Sequence, residues 1–205
     1  MTKTGVLALQ GDFAAHIAAM PGAVEVRTAR EIESLDALVL PGGESTTLLH
    51  LLDGSGIEDA VRKLVDRGGS LFGTCAGAIL LAKRVTNPAQ PSWGLIDIDV
   101  ARNAFGRQVD SFEATLDPDY HGVFIRAPRI TRAGDGVQVL ARWNGEPVLV
   151  RQGRVFAATF HPELTGDRRI HELVLSQTSD LGLSAPKLIN PCVNLRARAT
   201  WSHGR

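Results

Sequence analysis

Short apolar runs alternate with helical patterns through the first 82 residues of the chain. The predicted strands are apolar on both faces and lie at 5–10, 23–27, 35–43 and 70–74. The predicted helices follow them at 12–20, 57–65 and 76–82. Strands that are apolar on both faces are typical of a parallel sheet with helices covering both sides. This part of the chain therefore predicts an α/β fold of three layers.

The pattern changes after Trp93, where strands follow one another with only turns between them. These strands are predicted at 94–101, 122–128, 137–143, 146–153 and 154–160, and a last helix at about 167–175. Consecutive strands of this kind favour antiparallel hairpins that extend or flank the sheet. Because no repeat or internal boundary interrupts the pattern, residues 1–175 are predicted to form one domain.

The composition limits the kind of ligand. The 205 residues are 44% hydrophobic and 21% charged, and positive and negative side chains each number 22, so the formal charge is zero. Nothing in the overall field favours nucleic acid or an acidic membrane. No apolar run approaches a signal peptide or the roughly 18 residues of a membrane-spanning helix. We therefore expect a cytoplasmic protein whose two cysteines are free thiols and whose ligand is a small molecule or another protein.

The end of the chain differs from the rest. Residues 176–205 lack sustained periodicity and carry four Lys or Arg against one acid. We expect a mobile tail here, with ordering against a partner as the alternative.

Cys75 lies at the bend where the predicted strand 70–74 becomes the helix 76–82. The sequence Gly-Thr-Cys-Ala-Gly has the form of a nucleophile elbow, in which small flanking residues allow a sharp turn that exposes the side chain above the sheet. Helix amides would favour the thiolate, and the Ala76 N–H would donate to an oxyanion. A small cysteine buried in the core is the alternative.

A thiolate that must also protonate a leaving group needs a base, and His161 is the candidate. It ends the predicted strand 154–160, and Glu163 follows on the same side if the chain stays extended. Glu163 would then hold one ring nitrogen and support the imidazolium, as the acid of a catalytic triad does. An exposed His-Pro-Glu turn is the alternative.

The segment LVLPGGEST, residues 38–46, ends a buried strand in two glycines. Successive glycines allow the backbone to approach a ligand closely, so the Gly43 amide is predicted as a second oxyanion donor opposite Ala76. A simple helix N-cap at Ser45 or Thr46 is the plainer interpretation. The two roles are compatible, because a cap would fix the loop that the ligand touches.

Two arginines stand beside apolar strands. Arg102 continues the apolar face of the strand 94–101 if that strand does not bend, and Arg126 interrupts the run GVFIRAP. The α-carboxylate of a free amino acid is a partner that an arginine binds bidentately. Pairing with an internal acid such as Asp99 or Glu113 is the alternative.

Six segments carry a family resemblance: LALQGDF, LPGGESTT, FGTCAGAILLAK, RNAFGRQVDSFEA, GVFIRAP and FHPELTGD. In order and spacing they resemble the glutaminase subunits of pyridoxal 5′-phosphate synthases, a family of class I glutamine amidotransferases. The resemblance covers about residues 3–175 and implies the flavodoxin-like fold of that class. It implies Cys75 as nucleophile, His161 as base and Glu163 as the acid that orients it. The glutamine-binding positions that it implies are Gly43, Glu44, Ser45, Arg102, Ile125 and Arg126.

The activity implied is hydrolysis of L-glutamine to L-glutamate and ammonia through a Cys75 thioester. The ammonia would pass to a separate synthase subunit, a (β/α)₈ barrel that makes pyridoxal 5′-phosphate, and Gln10, Gly11 and His16 are our candidates for that contact. No metal or other cofactor is expected, because the sequence has no clustered Cys and His ligands. A stand-alone cysteine hydrolase or peptidase and a non-catalytic binding protein of similar fold are the alternatives.

Overall fold

The computed structural model describes residues 2–102 and 111–177 of the chain. Its helices are α1 (Phe13–Ala19), α2 (Ala29–Ile32), α3 (Ser45–Leu52), α4 (Ile57–Asp66), α5 (Ala76–Leu81) and α6 (Arg169–Ser176). None of these helices is long and apolar enough to cross a membrane. The expected mobile tail lies outside the described residues except for Ser176 and Gln177, and so does Cys192.

The strands of the described residues form one large sheet and two small ones. They are β1 (Thr4–Leu7), β2 (Val24–Val26), β3 (Ala37–Leu40), β4 (Ser70–Thr74), β5 (Ala82–Thr86), β6 (Ile96–Ala101), β7 (Ser111–Leu116), β8 (Tyr120–Ile125), β9 (Arg129–Ala133), β10 (Gln138–Trp143), β11 (Glu146–Gln152) and β12 (Val155–Ala158). The large sheet has the order β10-β11-β12-β4-β3-β1-β2. From β12 to β2 its neighbours are parallel, whereas β11 and β10 are added antiparallel. The predicted fold class, a mostly parallel sheet with added antiparallel strands, is confirmed.

Both faces of this sheet are buried at its central strands β1, β3, β4 and β12. Leu71 and Phe72 are neighbours in β4 and belong to two different core clusters, one on each face. Phe72 packs in the cluster that contains Met20 beside α1 and Ile170 of α6, and Leu71 in the one that contains Leu64 of α4. Complete burial of such a side chain stabilises the fold by about 1.5–3 kcal/mol. The apolar character of consecutive strand residues is therefore explained by helices on both sides.

The small sheets flank the large one. The sheet β5-β6-β9 contributes Ile96, Ile98 and Ile130 to one core cluster, and the hairpin β7-β8 contributes Leu116 and Phe124 to the other. Sequence analysis missed β5, β7, β9 and the short α2. These strands carry exposed or half-exposed polar or charged side chains on much of their length, so they lack the apolar runs by which the other strands were recognised.

Candidate active site

The carboxyl ends of β3, β4 and β12 meet at one edge of the large sheet, because these strands are parallel neighbours. Gly42 and Gly43 follow β3, Cys75 follows β4, and His161 lies three residues after β12. Open α/β sheets bind their ligands at this edge. The topology thus gathers three segments that are far apart in the sequence.

Cys75 occupies the sharp bend between β4 and α5. Its φ of 48° is uncommon for a residue with a side chain. The Cys75 N–H donates to the Ala158 carbonyl at 2.8 Å, and its buried sulfur lies 3.9 Å from the Ile125 carbonyl oxygen. The bend also requires Gly77, because a Cβ at that position would collide with the backbone carbonyl of Leu40. The small residues around the cysteine are therefore needed for the bend itself.

His161 and Glu163 form a buried pair, with Nδ1 of the imidazole 2.8 Å from Oε1 of the carboxylate. Burial alone would lower the pKa of His161, but hydrogen bonds with Cys75 and Glu163, and their negative charges, raise it to about 10. The imidazole is therefore protonated at neutral pH, beside a cysteine and a carboxylate.

The backbone that makes this pair differs from the extended chain that the sequence predicted. β12 ends at Ala158, and Pro162–Leu164 form a 3₁₀ turn. Pro162 suits the first position of such a turn because its ring fixes φ. The prediction that His161 and Glu163 share one side of an extended strand was wrong, although the two side chains do meet. The alternative of an exposed turn is also wrong, because His161 and Glu163 are each only 8% exposed.

The two-glycine loop after β3 lies against the imidazole. A Cβ on Gly42 would collide with the ring of His161, and Gly43 has a φ of 141°, which favours glycine. The Gln10 side chain fastens the loop from outside. Its Nε2 donates to the Glu44 carbonyl at 2.5 Å, and its Oε1 accepts from the Glu44 N–H at 3.4 Å.

Glu44, rather than Ser45 or Thr46, is the N-cap of α3. Its carboxylate accepts from the Thr47 N–H at 2.8 Å, and this hydrogen bond lowers the pKa of Glu44. Ser45 is buried and donates through its hydroxyl to Oε1 of Gln90 at 3.0 Å. The predicted cap was therefore wrong by one or two residues.

Arg102 extends from the end of β6 toward the same loop. Its Nη2 lies 3.2 Å from Oγ1 of Thr46 and 3.5 Å from Oε1 of Glu44. Asp99 and Glu113, the internal acids considered as alternative partners, pair with other side chains. The Arg102 side chain is only 13% exposed and lines the cavity beside Cys75.

A cavity of about 140 Å³ opens beside Cys75. Its lining residues are Gly43, Glu44, Ser45, Cys75, Ile79, Arg102, Ile125, Arg126, Pro128 and His161. All six positions matched to glutamine binding thus share one cavity with Cys75 and His161. Its volume is below the roughly 300–1,000 Å³ of pockets for drug-sized ligands, so it suits a small substrate.

Two lining residues, Ile79 and Pro128, were missed by the sequence analysis. Ile79 lies one helical turn after Cys75, a spacing that could have identified it. Pro128 had no such signal. Arg126 also lines the cavity. It is exposed, has a φ of 43°, and forms no hydrogen bond or ion pair within residues 2–102 and 111–177.

Two further histidines lie directly behind Glu163. His16 of α1 is fully buried, and its Nε2 lies 3.3 Å from Oε2 of Glu163 and 3.2 Å from Oγ1 of Thr74. Its Nδ1 lies 3.0 Å from Nε2 of His171 in α6. The prediction that His16 contacts a partner was therefore wrong, because the residue has no exposed surface. Its position on the apolar face of α1 was the signal that could have placed it inside.

The structure combines a mostly parallel sheet with a cysteine at a strand-to-helix bend and a buried His–Glu pair, the arrangement that the resemblance to class I glutamine amidotransferases implied. Within that class, comparison with known families gives a closer assignment. The chain belongs to the SNO glutamine amidotransferase family, whose model matches residues 6–180.

Relatives of similar length support this assignment. The protein named pyridoxal 5′-phosphate synthase subunit PdxT from Solibacter usitatus is 53% identical over 192 residues, covering 86% of this chain and 100% of that protein. A protein of the same name from Thermus thermophilus is 54% identical over 181 residues, covering 83% of this chain and 95% of that protein.

Solved structures agree at the level of the fold. A crystal structure described as a glutamine amidotransferase has a TM-score of 0.81 and 54% identity, covering 86% of this chain and 98% of that one. The structure of PurLQS from Thermotoga maritima has a TM-score of 0.64 at 16% identity, covering 88% and 99%, and shares the fold.

Proposed function

We propose that Cys75, His161 and Glu163 carry out the reaction of a glutaminase subunit of pyridoxal 5′-phosphate synthase. The chain hydrolyses L-glutamine to L-glutamate and ammonia, and the ammonia is used to make pyridoxal 5′-phosphate, as the family and the names of its relatives support. The observation that carries the residue assignment is that Cys75 and the protonated His161 line one small cavity with Arg102 and Arg126.

In the first step the Cys75 thiolate attacks the side-chain amide carbon of glutamine, and the amide oxygen becomes a tetrahedral oxyanion. His161 then gives its proton to the departing nitrogen, so that ammonia leaves and a thioester remains. Glu163 holds Nδ1 of the imidazole. The other ring nitrogen is therefore the one that donates.

The oxyanion needs donors that are already in place. Ala76 is the first residue of α5, so its N–H has no partner within the helix. The Gly43 N–H, from the loop on the other side of the cavity, is the second proposed donor. In the second step, neutral His161 takes a proton from water, the water oxygen attacks the thioester, and glutamate leaves as Cys75 returns to the thiolate.

The two arginines are proposed to bind the α-carboxylate of glutamine. Arg126 has no partner within the described residues, so it is available to the substrate. Arg102, which Thr46 and Glu44 hold in place, lines the same cavity. A charge-assisted bond to either side chain would fix the amino-acid end and leave the amide end facing Cys75.

The acceptor of the ammonia is proposed to be a separate synthase subunit with a (β/α)₈ barrel. Free ammonia in neutral water is mostly ammonium, which is not a nucleophile, so direct transfer between subunits keeps it reactive. Gln10 and Gly11 remain candidates for the contact. Gly11 is exposed, and Gln10 holds the loop that contains Gly43. Docking there would act on the proposed oxyanion donor.

Glutamate release by the chain together with its synthase subunit tests the proposal. Cys75→Ser should reduce turnover by several orders of magnitude and leave folding and glutamine binding largely intact, because an alkoxide forms far less readily than a thiolate. His50→Gln, on the exposed side of α3, is the control and should match the parent. Substantial turnover by Cys75→Ser would contradict the proposal, and faster turnover of a blocked peptide than of free glutamine would favour a peptidase.

A further inference from the structure

We propose that His16 and His171 are positioning residues for the reaction. His171 donates to His16, and His16 donates to Oε2 of Glu163, the outer oxygen of that carboxylate. The inner oxygen, Oε1, then stays directed at Nδ1 of His161. The inference rests on the proposed function, because it requires His161 and Glu163 to act in glutamine hydrolysis.

Among the described residues, Oε2 of Glu163 lacks a hydrogen-bond donor. The side chain is completely buried, and Oε2 receives no well-aligned hydrogen bond within residues 2–102 and 111–177. The nearest nitrogen given by the structure is Nε2 of His16, 3.3 Å away. A buried carboxylate oxygen without a donor is costly, so a slight rotation that aligns this N–H is favourable.

The tautomers of the two histidines follow from this contact. If Nε2 of His16 carries the proton, it faces both Oε2 of Glu163 and Oγ1 of Thr74, and Nδ1 accepts from Nε2 of His171. The opposite arrangement would leave the carboxylate without a donor. It would also bury an unpaired N–H at Nδ1 of His171, which has no hydrogen-bond partner among the described residues. In the first arrangement Nδ1 of His171 is still unpaired among the described residues, but it carries no proton.

The charge state of the pair supports a positioning role. Burial is the largest cause that holds the pKa of His16 well below its usual value, and the electrostatic effects of His171 and His161 on the protonated ring add to it. Burial lowers the pKa of His171 to about 4, against the opposing effect of Asp167 and with a smaller contribution from Arg168. Both rings are therefore neutral at pH 7 and orient Glu163 without neutralising it. A cation at His16 would instead compete with His161 for the same carboxylate.

Packing is the competing explanation, and it must be separated from the donor role. The rings of His16 and His171 meet the edge of Phe72 with centroid distances of 6.4 and 6.0 Å. A leucine at position 16 would keep much of that apolar contact but could not donate. A glutamine would keep a donor near the place of Nε2. His16→Leu and His16→Gln therefore form a matched pair of variants.

The first experiment measures glutamate release by both variants with the synthase subunit present. His16→Leu should lower kcat by about 10- to 100-fold, by analogy with residues that orient the ligands of metal sites, with KM changed less than about twofold. His16→Gln should stay within about threefold of the parent, and His171→Leu should fall between them. Equal kcat values for His16→Leu and the parent, or equal losses in the Leu and Gln variants, would overturn the donor role.

The second experiment uses histidine side-chain NMR on the full chain. In the parent, His16 should be neutral with its proton on Nε2, and the pKa of His161 should fall in His16→Leu but not in His16→Gln, because the oriented Glu163 supports the imidazolium. A proton on Nδ1 of His16 in the parent would overturn the proposal even if the variants failed to fold. An inactive Cys75→Ser beside a fully active His16→Leu would refute only this inference, whereas an active Cys75→Ser would refute the proposed function.

Discussion

Nδ1 of His161 lies 2.8 Å from Oε1 of Glu163, across a single 3₁₀ turn at the carboxyl edge of the sheet. Because one ring nitrogen is held in this way, the other is left for Cys75 and the substrate. The pair therefore sets both the orientation and the charge of the proposed acid and base.

Glu163→Gln tests the value of that contact. The imidazole would remain, but its tautomer and its cation would lose support, so turnover should fall by less than the roughly 10²- to 10⁴-fold expected for His161→Ala. Glutamate release under saturating glutamine measures both variants. Equal turnover of Glu163→Gln and the parent would assign Glu163 to packing alone.

Arg102→Ala tests substrate binding. Loss of a charge-assisted contact of about 1.5–3 kcal/mol should raise KM for glutamine by about 10- to 100-fold with a smaller change in kcat. Arg84→Ala is a matched control, since Arg84 pairs with Asp99 and does not line the cavity. An unchanged KM in Arg102→Ala would remove Arg102 from the site.

The stability of the chain should depend on His171 in mild acid. Burial lowers the pKa of His171 to about 4, from about 6.5 in an unfolded chain, so between these values the unfolded chain binds a proton that the native state does not. Stability contributed by this group is thus lost as pH falls through that window, by about 1.4 kcal/mol per pH unit at most.

Urea unfolding from pH 7 to pH 4 measures this effect. His171→Gln should show a shallower loss of unfolding free energy than the parent, and His50→Gln on exposed α3 serves as the control for replacing a histidine. If the unfolding free energies of His171→Gln and the parent fell in parallel as the pH was lowered, His171 would not have the low pKa that its burial implies.

The partner should govern the glutaminase rate. The loop of Gly42 and Gly43 can change its peptide orientation at small steric cost, so docking beside Gln10 is expected to set the Gly43 N–H toward the oxyanion. Glutamate release should be slow for the chain alone and rise when the synthase subunit is added. An isolated chain already at full rate would contradict this switch and leave the hydrolase activity intact.

The sequence predicted the large sheet well because its central strands are buried on both faces. Leu71 and Phe72 are both fully buried, so an apolar run marks their strand without any long-range information. β5 and β9 could not be recognised in this way. Their Arg84 and Arg132 pair across the small sheet with Asp99 and Asp97 of β6, and such pairing depends on register rather than on local pattern.

The candidate site was predicted unevenly for a similar reason. Cys75 lies in a local motif, and the bend follows from its small neighbours. His16 and His171 are separated by 155 residues, and only the packing of α1 and α6 on the same face of the sheet brings them behind Glu163. Helical spacing could have placed each histidine inside, but not beside the other.

Labelling with a glutamine-derived electrophile tests the central assignment most directly. The full chain would be treated with its synthase subunit present, digested, and analysed by mass spectrometry at both cysteines. One adduct at Cys75, suppressed by excess glutamine and accompanied by loss of glutamate release, is the predicted result. Labelling of Cys192 instead, or persistent activity after complete labelling of Cys75, would contradict the account.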